Sequence, residues 1–150
     1  MFSIDFPKNT LSKECYIDGY TPKEASIQIG SFIEHVDLQL GYWRFDDYKS
    51  QWKEAVEMVL SRDGNRSILI TQFLNPLKRK LGYAIEGWPM YREGDSVYIR
   101  NSYYTAGSVP QPWSLIDFIR NNIESRNPND DVSEWKISIK ELEAFYRAIG

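Results

Sequence analysis

Apolar residues recur at three- and four-residue intervals at Phe45, Tyr48, Trp52, Ala55, Val56, Val59 and Leu60, which lays them on one stripe of a helix from about Asp46 to Ser61. Asp46 and Asp47 put negative charge in its first turn, where it complements the macrodipole, and Asp63-Gly64-Asn65 ends it with a residue able to turn left-handed. Elsewhere the period is two. Ile27 and Ile29 alternate before Gly30, Val36, Leu38 and Leu40 alternate after it, and Phe32 and Ile33 break phase between them, so two strands or one bulged strand are expected. Ser67 to Leu74 reads as a buried strand stopped at Asn75-Pro76, with Lys78-Arg79-Lys80 following in a loop.

From Trp88 to Ile99 two strand-like runs flank Gly94-Asp95, a pair suited to a tight turn, inside a larger hairpin region from Tyr83 to Tyr104. Pro110 and Pro112 make residues 106 to 112 a connection. Trp113 to Arg126 is expected to be helical with Ile116, Ile119 and Ile123 on one face, and Asn127-Pro128-Asn129-Asp130-Asp131 is a turn. Trp135, Ile137 and Ile139 alternate as a short strand. Ser138 and Glu141 have the spacing of a capping box that opens a last helix through Ile149, with Leu142, Phe145, Tyr146 and Ile149 facing inward. Residues 1 to 24, with Pro7, Asn9, Gly19 and Pro22, form an irregular lead-in holding at most one short strand. The order lacks the regular strand-helix alternation of a doubly wound sheet, so the expected class is α+β: a single domain over residues 1 to 150, a mostly antiparallel sheet and helices packed on one face.

Composition narrows the function classes. A 150-residue chain buries roughly two-thirds of its unfolded surface without staples. Seven Phe, five Trp and ten Tyr are more rings than such a core needs, which leaves some for a surface. A net charge of -3 argues against general affinity for nucleic acid, which depends on clustered Lys and Arg, and favours a cationic protein partner. The lone Cys15 forms no intrachain disulfide, no basic-apolar leader precedes Ser3-Ile4-Asp5, and no run approaches the ~20 apolar residues of a membrane-spanning helix. A soluble cytoplasmic protein is expected, with no membrane partner. Nothing in the pattern specifies an oligomeric state.

Candidate chemistry is sparse. His35 is the one histidine, in a strand-like run, and neither it nor Cys15 sits in a recognised nucleophile motif; zinc lacks ligands for the same reason. No cofactor is expected. The sharpest enzymatic alternative is a magnesium nuclease in which Glu134, with Asp117 or Asp130, holds the metal and Lys136 polarises water. A second alternative is an RNA-binding regulator that uses Lys78, Arg79 and Lys80 beside Tyr83. Tyr103, Tyr104 and Trp113 bracket the proline connection and are candidate interface anchors.

Three segments carry a resemblance: Tyr42-Trp43-Arg44-Phe45-Asp46-Asp47-Tyr48-Lys49-Ser50-Gln51-Trp52, Trp88 to Asn101, and Ser133-Glu134-Trp135 running into Ile137-Ser138-Ile139. Together they resemble immunity proteins of bacterial contact-dependent growth inhibition and related polymorphic toxin systems. The resemblance implies a small cytosolic protein with no enzymatic activity that binds the C-terminal domain of a delivered toxin, often a nuclease, and neutralises it stoichiometrically. It also implies that shared residues such as Trp88, Tyr91 and Trp135 belong to the scaffold. For the toxin interface two acidic groups are candidates, Asp46, Asp47, Glu54 and Glu57 on the first helix, and Asp117, Glu124, Asp130 and Asp131 later in the chain, with Tyr103, Tyr104 and Trp113 as anchors.

Overall fold

The computed structural model describes residues 1–5, 22–40, 42–74, 84–105 and 109–150. Cys15, Lys78, Arg79, Lys80 and Tyr83 lie outside the described residues. Among the described residues, eight strands and three helices follow in the order β1 (Phe2–Asp5), β2 (Pro22–Ile29), β3 (Phe32–Gln39), α1 (Phe45–Ser61), β4 (Arg66–Leu74), β5 (Ala84–Glu93), β6 (Ser96–Ile99), β7 (Ser102–Tyr104), α2 (Leu115–Asn122), β8 (Trp135–Ser138) and α3 (Ile139–Ile149). The α+β class and the antiparallel pairing are as expected. The strands divide between two sheets, one in the order β1-β2-β3 and the other β4-β5-β6-β8 with β7 also paired to β5.

Both tight hairpins turn on a glycine. Ile29 faces Phe32 and Glu93 faces Ser96, leaving two-residue turns whose first residues, Gly30 and Gly94, have φ of 62° and 64°. That conformation is open to glycine and matches the twist of the strands it joins. The phase break around Gly30 is thus a hairpin between two strands. A bulge does occur, in β4 at Thr71, where the register against β5 shifts between Ile70 and Gln72. Strands β6 and β7 lie along the same edge of β5 and are interrupted opposite Pro89, which has no N–H to complete the ladder; its carbonyl still accepts from the Arg100 N–H at 3.0 Å. Gly87 marks a close approach, since a Cβ there would collide with the buried Ile68 side chain.

The most consequential packing joins α1 to β4. Among the described residues β4 ends its sheet, so one row of its backbone groups has no described strand to pair with. Helix α1 supplies the partners. Gln51 Nε2 donates to Ile68 O at 2.7 Å, and its Oε1 accepts from the Ile70 N–H at 2.9 Å. Trp52 Nε1 donates to Ile70 O at 2.7 Å, and the Tyr48 hydroxyl accepts from the Phe73 N–H at 2.8 Å. All three side chains are buried. Tyr48 and Trp52 belong to one continuous hydrophobic core that also takes in Phe2, Ile27, Leu38, Trp88, Ile99, Phe118, Ile137 and Phe145.

Arginines from the second sheet close the helix ends. The last turn of α1 has no basic residue of its own, and Arg92 of β5 donates from Nη1 to the carbonyls of Val59 and Leu60 at 3.2 and 2.9 Å. Arg66 of β4 donates to Ile123 O, just past α2. Ser138 and Glu141 form the expected capping box, which makes Ile139 the first residue of α3 and ends β8 one residue early. Leu142, Phe145 and Ile149 are buried and Tyr146 is half-buried. The predicted helix from Trp113 to Arg126 shortens to α2: Ser114 caps its start by accepting from the Asp117 N–H at 3.2 Å, and at its end Ile123 turns extended after donating its N–H to Ile119 O at 2.9 Å. Its inward face is Leu115, Phe118 and Ile119, and Ile116 is 50% exposed.

The segment between α2 and β8 is pinned by charge. Glu134 accepts from Arg126 through both oxygens, at 2.9 Å from Nε and 2.6 Å from Nη2, and from Arg100 Nε at 2.7 Å. Arg100 continues to Asp130 at 2.9 Å and to Asn127 O at 2.8 Å, and Arg126 to Glu93 at 2.6 Å. The Arg126 guanidinium also lies 3.6 Å from the Tyr98 ring centroid. These bonds, with the one from Arg126 first, hold the Glu134 carboxyl below its ordinary value of 4.5.

Two outcomes follow for stability. Replacing Gln51 with Leu leaves Ile68 O and the Ile70 N–H buried and unmatched, and is expected to cost about 2–4 kcal/mol in urea unfolding. For Glu134 the folded pKa is the lower one, so its stabilisation is complete above pH 4.5 and is lost as pH falls through the folded value. Glu134→Gln is therefore expected to lower the thermal midpoint at pH 7, and the gap to the parent protein is expected to close below pH 4.5 when the midpoint is followed against pH.

Candidate functional site

The structure brings together three interface candidates from distant parts of the chain. Asp47 and Glu54 on α1 and Trp113 before α2 line one groove of about 210 Å³, together with Trp43, Ser50 and Gln51. Spacings of three and four put Asp47, Ser50, Gln51 and Glu54 on the same side of α1. Asp47 also closes the start of the helix by accepting from the Arg44 N–H at 2.8 Å. Trp43 packs on Phe73, centroids 4.5 Å apart, and meets Trp113 edge-on at 5.6 Å; Trp113 in turn lies 5.4 Å from Phe118. The groove thus has two half-buried indoles on one side and two exposed carboxylates on the other. Sequence reasoning left out Trp43, Ser50 and Gln51 as site residues, although the helical spacing from Asp47 already placed Ser50 and Gln51 beside it.

The remaining candidates fall elsewhere. Asp46 is exposed at the start of α1, on the flank that carries Lys49 and Lys53. Glu57 accepts from the Tyr146 hydroxyl at 2.5 Å and so faces α3. Tyr104 turns its ring onto Phe118 at 4.9 Å, whereas Tyr103 is 68% exposed. The Tyr103 hydroxyl donates to Glu86 at 2.5 Å, and this bond, with partial burial, pushes its pKa up to about 12. Glu86 accepts a second bond from Thr71 at 2.9 Å, and Thr71 accepts from the Trp88 indole at 3.0 Å. Partial burial and the nearby Glu86 charge raise the Glu34 carboxyl.

The later acidic group does not form one patch. Asp117 is exposed in the first turn of α2, while Asp130 and Glu124 border a polar cleft of about 390 Å³ past its other end, beside Arg100 and Arg120. Asp130 is paired with Arg100, and Asp131 is exposed.

The proposed nuclease residues are differently occupied. Glu134 is bound by two guanidiniums, so a metal would have to displace both, while Lys136 is exposed with its ammonium 5.9 Å from the Tyr98 ring. Among the described residues no three His, Cys, Asp or Glu side chains come together as a metal site. His35 stands opposite Ser26 in the β2–β3 ladder and is exposed. Trp88 is fully buried, and Tyr91 and Trp135 are half-buried against the core. No described helix is long and apolar enough to cross a membrane.

Comparison with known proteins adds family to geometry. Residues 38–145 match the CdiI N-terminal domain family. The chain is 26% identical over 136 residues to the immunity protein CdiI of Enterobacter cloacae subsp. cloacae, an alignment spanning 89% of this chain and 91% of that protein. Its fold is similar to a chain of the CdiA-CT/CdiI toxin and immunity complex from Enterobacter cloacae, with a TM-score of 0.74, 27% identity, and coverage of 99% of this chain and 98% of that one. The chain belongs to the CdiI family of contact-dependent growth inhibition immunity proteins.

Proposed function

We propose that this protein binds the C-terminal toxin domain of a cognate CdiA effector in the cytoplasm, that this toxin is a nuclease, and that the block is one-to-one occupation of the toxin surface without turnover. The observation that carries the reading is a likeness to a chain of the CdiA-CT/CdiI toxin and immunity complex that runs over nearly the whole of this chain. The preformed surface supports it. Exposed carboxylates at Asp47 and Glu54 next to half-buried indoles offer charge and aromatic area together, the two features that give a protein interface its on-rate and its anchors. A nuclease grips phosphate with basic side chains, so an acidic inhibitor meets it with complementary charge. A stable complex of this kind buries about 1,600 Å² in total. The Tyr103 ring, the exposed Asp46, Asp117 and Asp131, and Asp130 and Glu57 at its margins are further contact candidates on such a footprint.

Co-expression with the toxin domain encoded beside it is expected to restore growth that the toxin alone abolishes, and the pair is expected to run as one species of one-to-one mass in gel filtration. Equal killing with and without this protein, together with separate elution of the two, rejects the proposal. Toxin activity on purified RNA and DNA, measured with and without the protein, tests the nuclease assignment separately.

A further inference from the structure

The side of α1 that faces the groove is acidic. Asp47 and Glu54 face the groove, whereas Lys49 stands on the opposite flank with its ammonium 5.8 Å from the Phe45 ring centroid, lining the cleft against β1 and α3. Among the described residues, no lysine or arginine lines the groove. Glu54 forms no hydrogen bond or ion pair with the described residues, and Gln51 at the groove floor has both ends of its amide committed to β4. The indoles are held in place: Trp43 and Trp113 stand at 83° to each other and pack on Phe73 at 4.5 and 5.8 Å. Neither can turn away without opening the core.

A space of about 210 Å³ is too small for a helix or strand and suits the end of one long side chain. Rigid indole faces attract a cation through their quadrupole, and the attraction grows when the cation is shielded from water. Carboxylates beside those faces add charge pairing, and the packed indoles do not have to be ordered on binding, which removes part of the entropic cost. We infer that the groove receives one basic side chain of the toxin, an arginine or lysine whose charge is met by Glu54 and Asp47 while its head lies against Trp43 and Trp113. This rests on the toxin-binding reading above. Carboxylate beside indole presents that side chain with the chemistry that phosphate beside base offers in its nucleic-acid substrate.

The test is calorimetric titration of the purified cognate toxin domain into the intact protein, repeated with variants and followed in parallel by indole fluorescence. Wild-type binding is expected to change tryptophan emission. Glu54→Lys, at an exposed helix position, is expected to weaken binding by about tenfold or more and to reduce its salt dependence. Trp113→Phe is expected to weaken it by about three- to tenfold. Asp95→Lys, an equal charge change on the exposed β5–β6 turn, is expected to leave affinity within about threefold. If the wild type binds and Glu54→Lys binds within twofold of it, or Asp95→Lys loses as much as Glu54→Lys, the groove inference is overturned and the immunity reading stands. If the wild type itself does not bind, both fall. Because Glu54 faces solvent, its variant decides the question even if Trp113→Phe unfolds.

Discussion

The sealed edge of β4 is the constraint on which the rest of the structure depends. An end strand with open backbone groups is a template for unwanted pairing, and burying those groups unmatched is costly. Here a helix does the work of a neighbouring strand. Gln51 presents an amide that donates and accepts with the spacing of a peptide group, and Trp52 and Tyr48 extend the match by one polar atom each. Polar atoms on otherwise apolar side chains allow α1 to sit against backbone and core at once. The helix is thereby fixed in rotation as well as position, and with it the direction in which every other α1 side chain points.

That fixed rotation connects core to surface. Once Tyr48, Trp52, Ala55 and Val59 are committed inward, Asp47 and Glu54 must face the Trp113 segment and Lys49 must face away. The second wall of the groove depends on the same strand, because Trp43 and Trp113 both lean on Phe73, whose N–H is the one bonded to Tyr48. One strand edge therefore aligns both sides of the candidate binding surface. Such coupling suits the proposed binding role, since a surface held in place before association loses less entropy on binding.

Local order was legible in the sequence where a local cause sufficed. The α1 stripe, the Gly94 turn and the Ser138–Glu141 capping box each depend on residues within a few positions of one another, and each was found where expected. The misplaced boundaries have local causes as well: Ser114 was a better helix start than Trp113, and the Ser138 cap takes Ile139 out of the strand. What could not be read was long-range pairing. Glu134 looked like a metal ligand because nothing nearby in sequence announces that Arg100, 34 positions away, and Arg126 converge on it. Nor does anything near Gln51 in sequence announce that its amide meets Ile68 and Ile70 of β4. Asp47, Glu54 and Trp113 were each singled out, but only the fold places them around one groove while sending Glu57 to α3 and Asp130 to Arg100.

The distribution of buried and exposed residues separates the packing of the scaffold from the candidate contact surface. The segment that carries the resemblance most clearly, Trp88 to Asn101, has Trp88, Met90, Val97 and Ile99 fully buried, and Tyr98 lies beneath Arg126. Changes there disturb packing before they touch a partner. The carboxylates of the groove carry no such load: Glu54 can change without opening a cavity or leaving a backbone group unmatched, and Asp47 gives up only its bond to the Arg44 N–H. Packing cost and the proposed recognition thus fall on different side chains of the same helix, so a change at the carboxylates leaves the edge of β4 closed.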